Sequence, residues 1–182
     1  MRRGRRIPEV TLPALEQAAL AYLERYASSA ENLRRVLMRR IERAVRAEAA
    51  TREEGRARVD AVIAKLEDKR LLDDRQYAEA RARSLSRQGR SKARIAQRLS
   101  AKGVDSETVE AALGAAIEDG HSDLRAALNL ARKRRLGPFR AKADRKERRE
   151  RDMAALGRAG FSFEIARKVI DAENPDSLEG EF

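Results

Sequence analysis

A chain of 182 residues is long enough for one domain or a short array of small repeats, and its formal charge of +11 points to a polyanionic partner, nucleic acid first and an anionic membrane surface second. The lack of cysteine excludes disulfide frameworks, thiolate metal sites and cysteine nucleophiles, and agrees with a reducing cytoplasm. The longest apolar run, residues 111–117, falls far short of the roughly 20 residues that span a bilayer, so a soluble, cytoplasmic protein with no membrane partner is expected.

Residues 1–11 read as a flexible basic arm, because Glu9, Glu16 and Gln17 stand where a signal peptide needs an apolar core. Leu15, Ala19, Tyr22, Leu23 and Tyr26 then recur at the spacing of one helical face. Ser28 with Glu31 reads as the capping box of a second helix, with Leu33, Val36, Leu37, Ile41, Ala44 and Val45 inward. Thr51 with Glu54 opens a third, with Val59, Val62, Ile63 and Leu66 inward.

The same plan returns from Asp73, which with Gln76 caps a helix stopped at Gly89. Ser91 starts the next helix, stopped at Gly103, and Asp105 starts one carrying Val109, Ala112, Leu113, Ala116 and Ile117. A third set places Leu124, Ala127, Leu128 and Ala131 ahead of Gly137-Pro138, then a charged helix through Met153 and Leu156 to Gly160, then a helix from Ser162 with Ala166, Val169 and Ile170 inward. Leu99 and Gly103-Val104 align with Leu156 and Gly160-Phe161 at a shift of 57 residues, which also pairs Leu113 with Ile170. The first set carries about 12 more residues, at roughly 40–53, most simply a longer second helix and an extended turn.

Each set is rich in alanine and too poor in large apolar residues to bury a core alone, so neighbouring sets must stack. The expected fold is therefore all-α, an elongated tandem array of three three-helix repeats at 12–72, 73–120 and 121–173, followed by an acidic disordered tail at 174–182. Such an array needs no partner subunit to complete its core, which makes a monomer the expectation.

Between Ala80 and Val104 the chain holds eight Lys or Arg residues and no carboxylate. Arg83 and Arg87 are one helical turn apart and lead through Arg90 and Lys92 to Arg94 and Arg98, again one turn apart beside the inward Ile95 and Leu99. Such a ribbon suits phosphates, since each neutralised phosphate releases a condensed counterion without any base being read. A second candidate cluster is Arg132, Lys133 and Arg134, where cations also favour the C-terminal end of a helix dipole. In residues 142–151 the signs alternate, and solvated ion pairs are expected.

Tyr22, Tyr26 and Tyr77 fall at inward spacing, Phe161 is placed to staple the last helix, and Phe139 is the one ring expected to be exposed, so no base-stacking platform is apparent. Chemistry-bearing residues are equally sparse. His121 is the sole histidine and sits at a helix start, and Asp73-Asp74 are explained by capping. No catalytic, cofactor or metal site is predicted.

Leu71-Leu72-Asp73-Asp74, Tyr77-Ala78-Glu79-Ala80, Arg83, Gly89, Ile95, Leu99, Lys102-Gly103-Val104, Ala131-Arg132-Lys133-Arg134 and Gly160-Phe161-Ser162, in this order, resemble the RecX family of bacterial recombination regulators over about residues 15–171. The resemblance implies three-helix repeats that lie along the groove of a RecA filament on single-stranded DNA and restrain its ATPase, strand exchange and growth. It makes the RecA filament and single-stranded DNA the expected partners, with double-stranded DNA a further one. The arginine-rich start and the additional residues of the first set fall outside it. Arg81 departs from it, because the family usually has an apolar or aromatic side chain there. Sharing a face with Tyr77 and Leu85, Arg81 is expected to lay its stem on the core and is left out of the binding set. The competing reading is a sequence-independent or architectural helical protein acting on naked nucleic acid. For the tail, with Asp176, Glu179 and Glu181 beyond Asn174-Pro175, disorder is the expectation, and competition with DNA for the ribbon is a hypothesis that deleting residues 174–182 would test.

Overall fold

A computed structural model describes residues 7–181, and among these the regular structure is all helical. The helices are α1 Leu12–Leu23, α2 Ala30–Val45, α3 Arg52–Asp68, α4 Asp74–Arg87, α5 Lys92–Ala101, α6 Ser106–Glu118, α7 Asp123–Arg134, α8 Lys142–Arg158 and α9 Phe163–Ile170, with short 3-10 turns at Gly137–Phe139 and Asp176–Glu181. The chain divides into two compact units, one running up to Tyr77 and including Lys102–Val104, the other formed by Ala78–Ala101 and the chain from Asp105 onward.

In the first unit α1 and α2 pack on α3 around Leu15, Leu33, Leu37, Ile41, Val59, Ile63 and Leu66. Gly55 lets α3 approach α2, since a Cβ there would overlap the side chain of Ile41. Three expectations change here. α1 closes at Leu23, so Tyr26 lies beyond it and is 57% exposed. The cap of α2 is Ser29 and not Ser28: the Ser29 hydroxyl accepts from Asn32 N at 3.3 Å, while Ser28 Oγ accepts from the Asn32 side chain at 2.8 Å. Residues 7–11 are held rather than free, with Val10 buried and Glu9 O accepting from Arg40 Nε at 3.0 Å; residues 1–6 of the expected arm lie outside the described residues. α2 has 16 residues against 10 in α5, and a turn follows it before the Thr51 cap of α3, which accepts from Glu54 N.

In the second unit α5 packs on α6, with Ile95, Leu99, Val109 and Ala112 buried, and α7, α8 and α9 pack around Leu128, Leu156, Phe161 and Val169. Its C-terminal segment departs from the expectation of disorder. Leu178 is 4% exposed in the same core as Ile170, and Asn174 caps the last turn by accepting from Ser177 N at 2.8 Å. One leucine with a helix to cover suffices to anchor this acidic stretch. Upstream, Asp171 pairs with Arg149 through two contacts at 2.6 and 2.7 Å, and Arg145 donates to Glu173 O, so α8 arginines take up the charge and carbonyls that precede it.

One joint is built twice. In the first unit Ser29 Oγ donates to Lys102 O at 2.5 Å, and Ala30 N donates to Asp74 Oδ1 at 2.7 Å. In the second, Ser91 Oγ donates to Ala159 O at 3.0 Å, and Lys92 N donates to Asp123 Oδ1 at 2.7 Å. Each time a capping serine and the first amide of a helix, the latter orphaned by helix geometry, are satisfied by a carbonyl and a carboxylate from the next set of three helices. Of the adjacent aspartates, Asp73 caps its own helix through Gln76 N at 2.9 Å and Asp74 caps α2.

Candidate nucleic-acid interface

The serine joint of the second unit places cations from three helices together. Ser91 caps α5 by accepting from Arg94 N at 3.4 Å, and its hydroxyl ties that end to the end of α8. Gly160, at φ +90°, makes the approach possible, because a Cβ would sit 2.6 Å from Ser91 Oγ and 3.1 Å from Arg94 Cγ. Arg90, Arg94 and Arg98 then meet Arg134 at the end of α7 and Arg158 at the end of α8, around a groove of about 410 Å³ whose lining is completed by Gln97, Leu130, Ala155 and Ala159. The Arg94 guanidinium is aimed by Gln97 Oε1 at 2.9 Å and Arg158 O at 3.2 Å.

A second hollow of about 590 Å³ shares Arg134, Ala155 and Arg158, and extends along α8 past Arg151 and Arg148 to Arg140. There the charge is answered: Asp152, 2% exposed, binds Arg140 at 2.9 and 3.1 Å and Gly137 N at 3.0 Å. Hydrogen bonding to Asp152 pushes the Arg140 guanidinium pKa up, so its charge is secure. By contrast, among the described residues Arg90, Arg98, Arg134, Arg151 and Arg158 join no ion pair. Arginines left unneutralised around a concave groove are suited to phosphate oxygens, which their planar forks bind bidentately.

The nine residues expected from the sequence separate on this geometry. Arg90, Arg94, Arg98 and Arg134 converge on the groove. Arg83 turns to Asp119 at 3.2 Å and Glu79 at 3.9 Å, so the carboxylate-free ribbon acquires counter-charge from the end of α6 and from α4. Arg87 is exposed, Lys92 gives its backbone amide to Asp123, Arg132 lies 5.4 Å from the Phe139 ring centroid, and Lys133 is exposed. Burial holds the Asp123 carboxyl above its ordinary pKa, opposed by the Lys92 amide and charge.

Several side chains sit differently from expectation. Arg81 is exposed, because α4 buries Ala78, Ala82, Leu85 and Ser86 and not the Tyr77, Arg81, Leu85 line. Small alanines allow close packing that hydrophobicity alone does not flag. Phe139 is packed against the core under Arg132, and among the described residues the outward rings are Phe163, 69% exposed, and Tyr26. Arg151 and Arg158 escape the sequence reading. Their signal is the i, i+4, i+7 spacing of Arg151, Ala155 and Arg158, hidden within a helix whose mixed charges read as ion pairs. Arg149–Asp171 is such a pair, while Arg148 approaches Glu147 at only 3.6 Å.

The model of the second three-helix domain of RecX matches residues 73–113. A regulatory protein RecX of Myxococcus xanthus is 48% identical over 175 residues, covering 95% of this chain and 92% of that protein. The chain belongs to the RecX family. Regulatory proteins RecX of Agrobacterium fabrum and Halorhodospira halophila are 45% and 32% identical over 56% and 68% of this chain, and over 52% and 73% of their own lengths. No solved structure matches it. The matched RecX domain covers α4, α5 and most of α6, with Arg90, Arg94 and Arg98; Arg134 and Arg158 lie beyond it. Among the described residues no helix is long and apolar enough to cross a membrane.

Proposed function

We propose that this RecX-family protein is a non-enzymatic, monomeric cytoplasmic regulator that binds RecA filaments on single-stranded DNA and inhibits RecA ATPase, strand exchange and filament growth, with three repeats at 12–72, 73–120 and 121–173 presenting its cations. The supporting observation is the convergence of Arg90, Arg94, Arg98, Arg134 and Arg158 on one groove whose lining holds no carboxylate. Phosphate contacts there need no base recognition, which suits a partner that coats DNA of any sequence. Arg87, Lys133 and the exposed Arg81 add to the positive field of the second unit, and Arg83 and Arg132 contribute less because their guanidinium groups are engaged within the protein.

The decisive measurement is RecA ATPase on single-stranded DNA at substoichiometric amounts of this protein. Inhibition far below coverage of the DNA is expected for a filament regulator. Inhibition that appears only as the DNA becomes covered would replace it with a competitor for naked nucleic acid.

A further inference from the structure

The first unit carries a row of cations of its own, on α2, none of which lines that groove. Arg35, Arg39, Arg43 and Arg46 follow one another at i, i+4, i+8 and i+11, all exposed, opposite the buried Leu33, Leu37, Ile41 and Ala44. At ~1.5 Å per residue the row runs roughly 16 Å. It exists because α2 is long: α5, the corresponding helix of the next set, has 10 residues and ends at Ala101.

The arginines that flank this row work inside the protein. Arg34 pairs with Asp60 at 2.9 Å and Glu31 at 3.0 Å, Arg40 donates to Glu9 O, Arg58 donates to Val10 O, and Arg52 meets Glu42 at 2.9 Å. Within the row, Arg35 shares Glu31 at 2.9 Å. Arg39 and Arg43 make no hydrogen bond or ion pair among the described residues, and Arg46 reaches only the carbonyl of Glu42. Glu31 is thus taken up by Arg34 and Arg35, and Glu42 by Arg52. A solvated face ordinarily mixes charges; this one has three successive turns of unneutralised guanidinium.

We propose that Arg39, Arg43 and Arg46 form a second surface for the nucleic-acid backbone, separate from the groove, so that one chain engages two strand segments. Cations one helical turn apart present forks to successive phosphates, and the absence of any ring in the row makes the contact indifferent to base sequence. The inference does not depend on RecA being a partner.

The test uses the full chain with Arg39→Gln, Arg43→Gln and Arg46→Gln combined. Each phosphate contact on single strands contributes about 0.7 to the slope of log affinity against log salt, so the triple variant should lower its magnitude by about 2. The matching variant with three lysines should keep the slope, since charge is retained. Donor- and acceptor-labelled short oligothymidylates, mixed with equimolar protein, should show energy transfer that is lost in the glutamine variant. Arg94→Gln with Arg98→Gln should lower the slope separately, so failure of the groove and failure of this row read out in different variants. An unchanged slope and unchanged energy transfer in the glutamine triple variant overturn the proposal, as does equal loss in the lysine variant, which would make the row structural.

Discussion

Asp123 offers a sharp test of how the groove is held together. It is half-buried at the start of α7 and accepts the first free amide of α5, Lys92 N, at 2.7 Å. Replacing it with alanine leaves that amide unpaired in a confined site, a loss of about 1–3 kcal/mol. In a protein of this size each kcal/mol moves the melting temperature by about 2–4 °C, so a drop of several degrees is expected for Asp123→Ala. The Asp123→Asn variant is the informative comparison, because an amide oxygen can accept the same bond without a charge. Burial raises the Asp123 pKa, so its proton is bound more tightly in the folded state than in the unfolded one. The corresponding stabilisation is complete below the unfolded pKa and is lost as pH rises through the folded pKa. An uncharged acceptor avoids the cost of burying a carboxylate charge, so Asp123→Asn should match or exceed the wild type at neutral pH. Thermal unfolding by circular dichroism between acid and neutral pH, on wild type and both variants, measures this directly. If Asp123→Asn falls as far as Asp123→Ala at neutral pH, the joint depends on charge and burial does not govern this carboxyl.

Further outcomes follow from the same contacts. Arg94→Ala with Arg98→Ala should weaken single-strand binding and reduce the salt slope by about 1.4 while leaving the helical signal intact, whereas Arg83→Ala, already paired with Asp119, should change the slope little; salt titration of a labelled oligonucleotide compares them. Gly160→Ala forces a Cβ into Ser91 Oγ at a positive φ and should cost about 1–2 kcal/mol or more, read by chemical denaturation, with binding lost in parallel because Arg94 is displaced. Leu178→Ala should lower stability by about 2–4 kcal/mol, since a buried side chain is removed from the core; if the melting temperature is unchanged, the C-terminal turn is not anchored as described. Asp171 is held below the usual carboxylate range by its hydrogen bonds to Arg149, so its contribution is present above the ordinary pKa and is lost as pH falls through the depressed value; Asp171→Asn should flatten that acid limb of the stability profile.

Periodicity and capping residues alone determine most of the helical plan. Thr51, Asp73, Asp105 and Ser162 accept the amides their positions imply, because a cap is a local contact three residues long. The 57-residue correspondence is also legible, since Leu99 and Leu156 are buried by the same requirement, a large side chain before a left-handed glycine. What the linear pattern does not supply is partnership at a distance. That Arg83 spends its charge on Asp119 depends on α6 returning beside α4, and that Asp74 caps α2 rather than its own helix depends on a contact 44 residues away. The buried face of α4 differs from its apparent apolar line because Ala78 and Ala82 carry little hydrophobic signal yet permit the closest packing. Only the tertiary structure decided the groove itself: Arg90, Arg94 and Arg98 belong to one helix and its turn, Arg134 and Arg158 to two others, and they meet because Ser91 and Gly160 allow helix ends to touch.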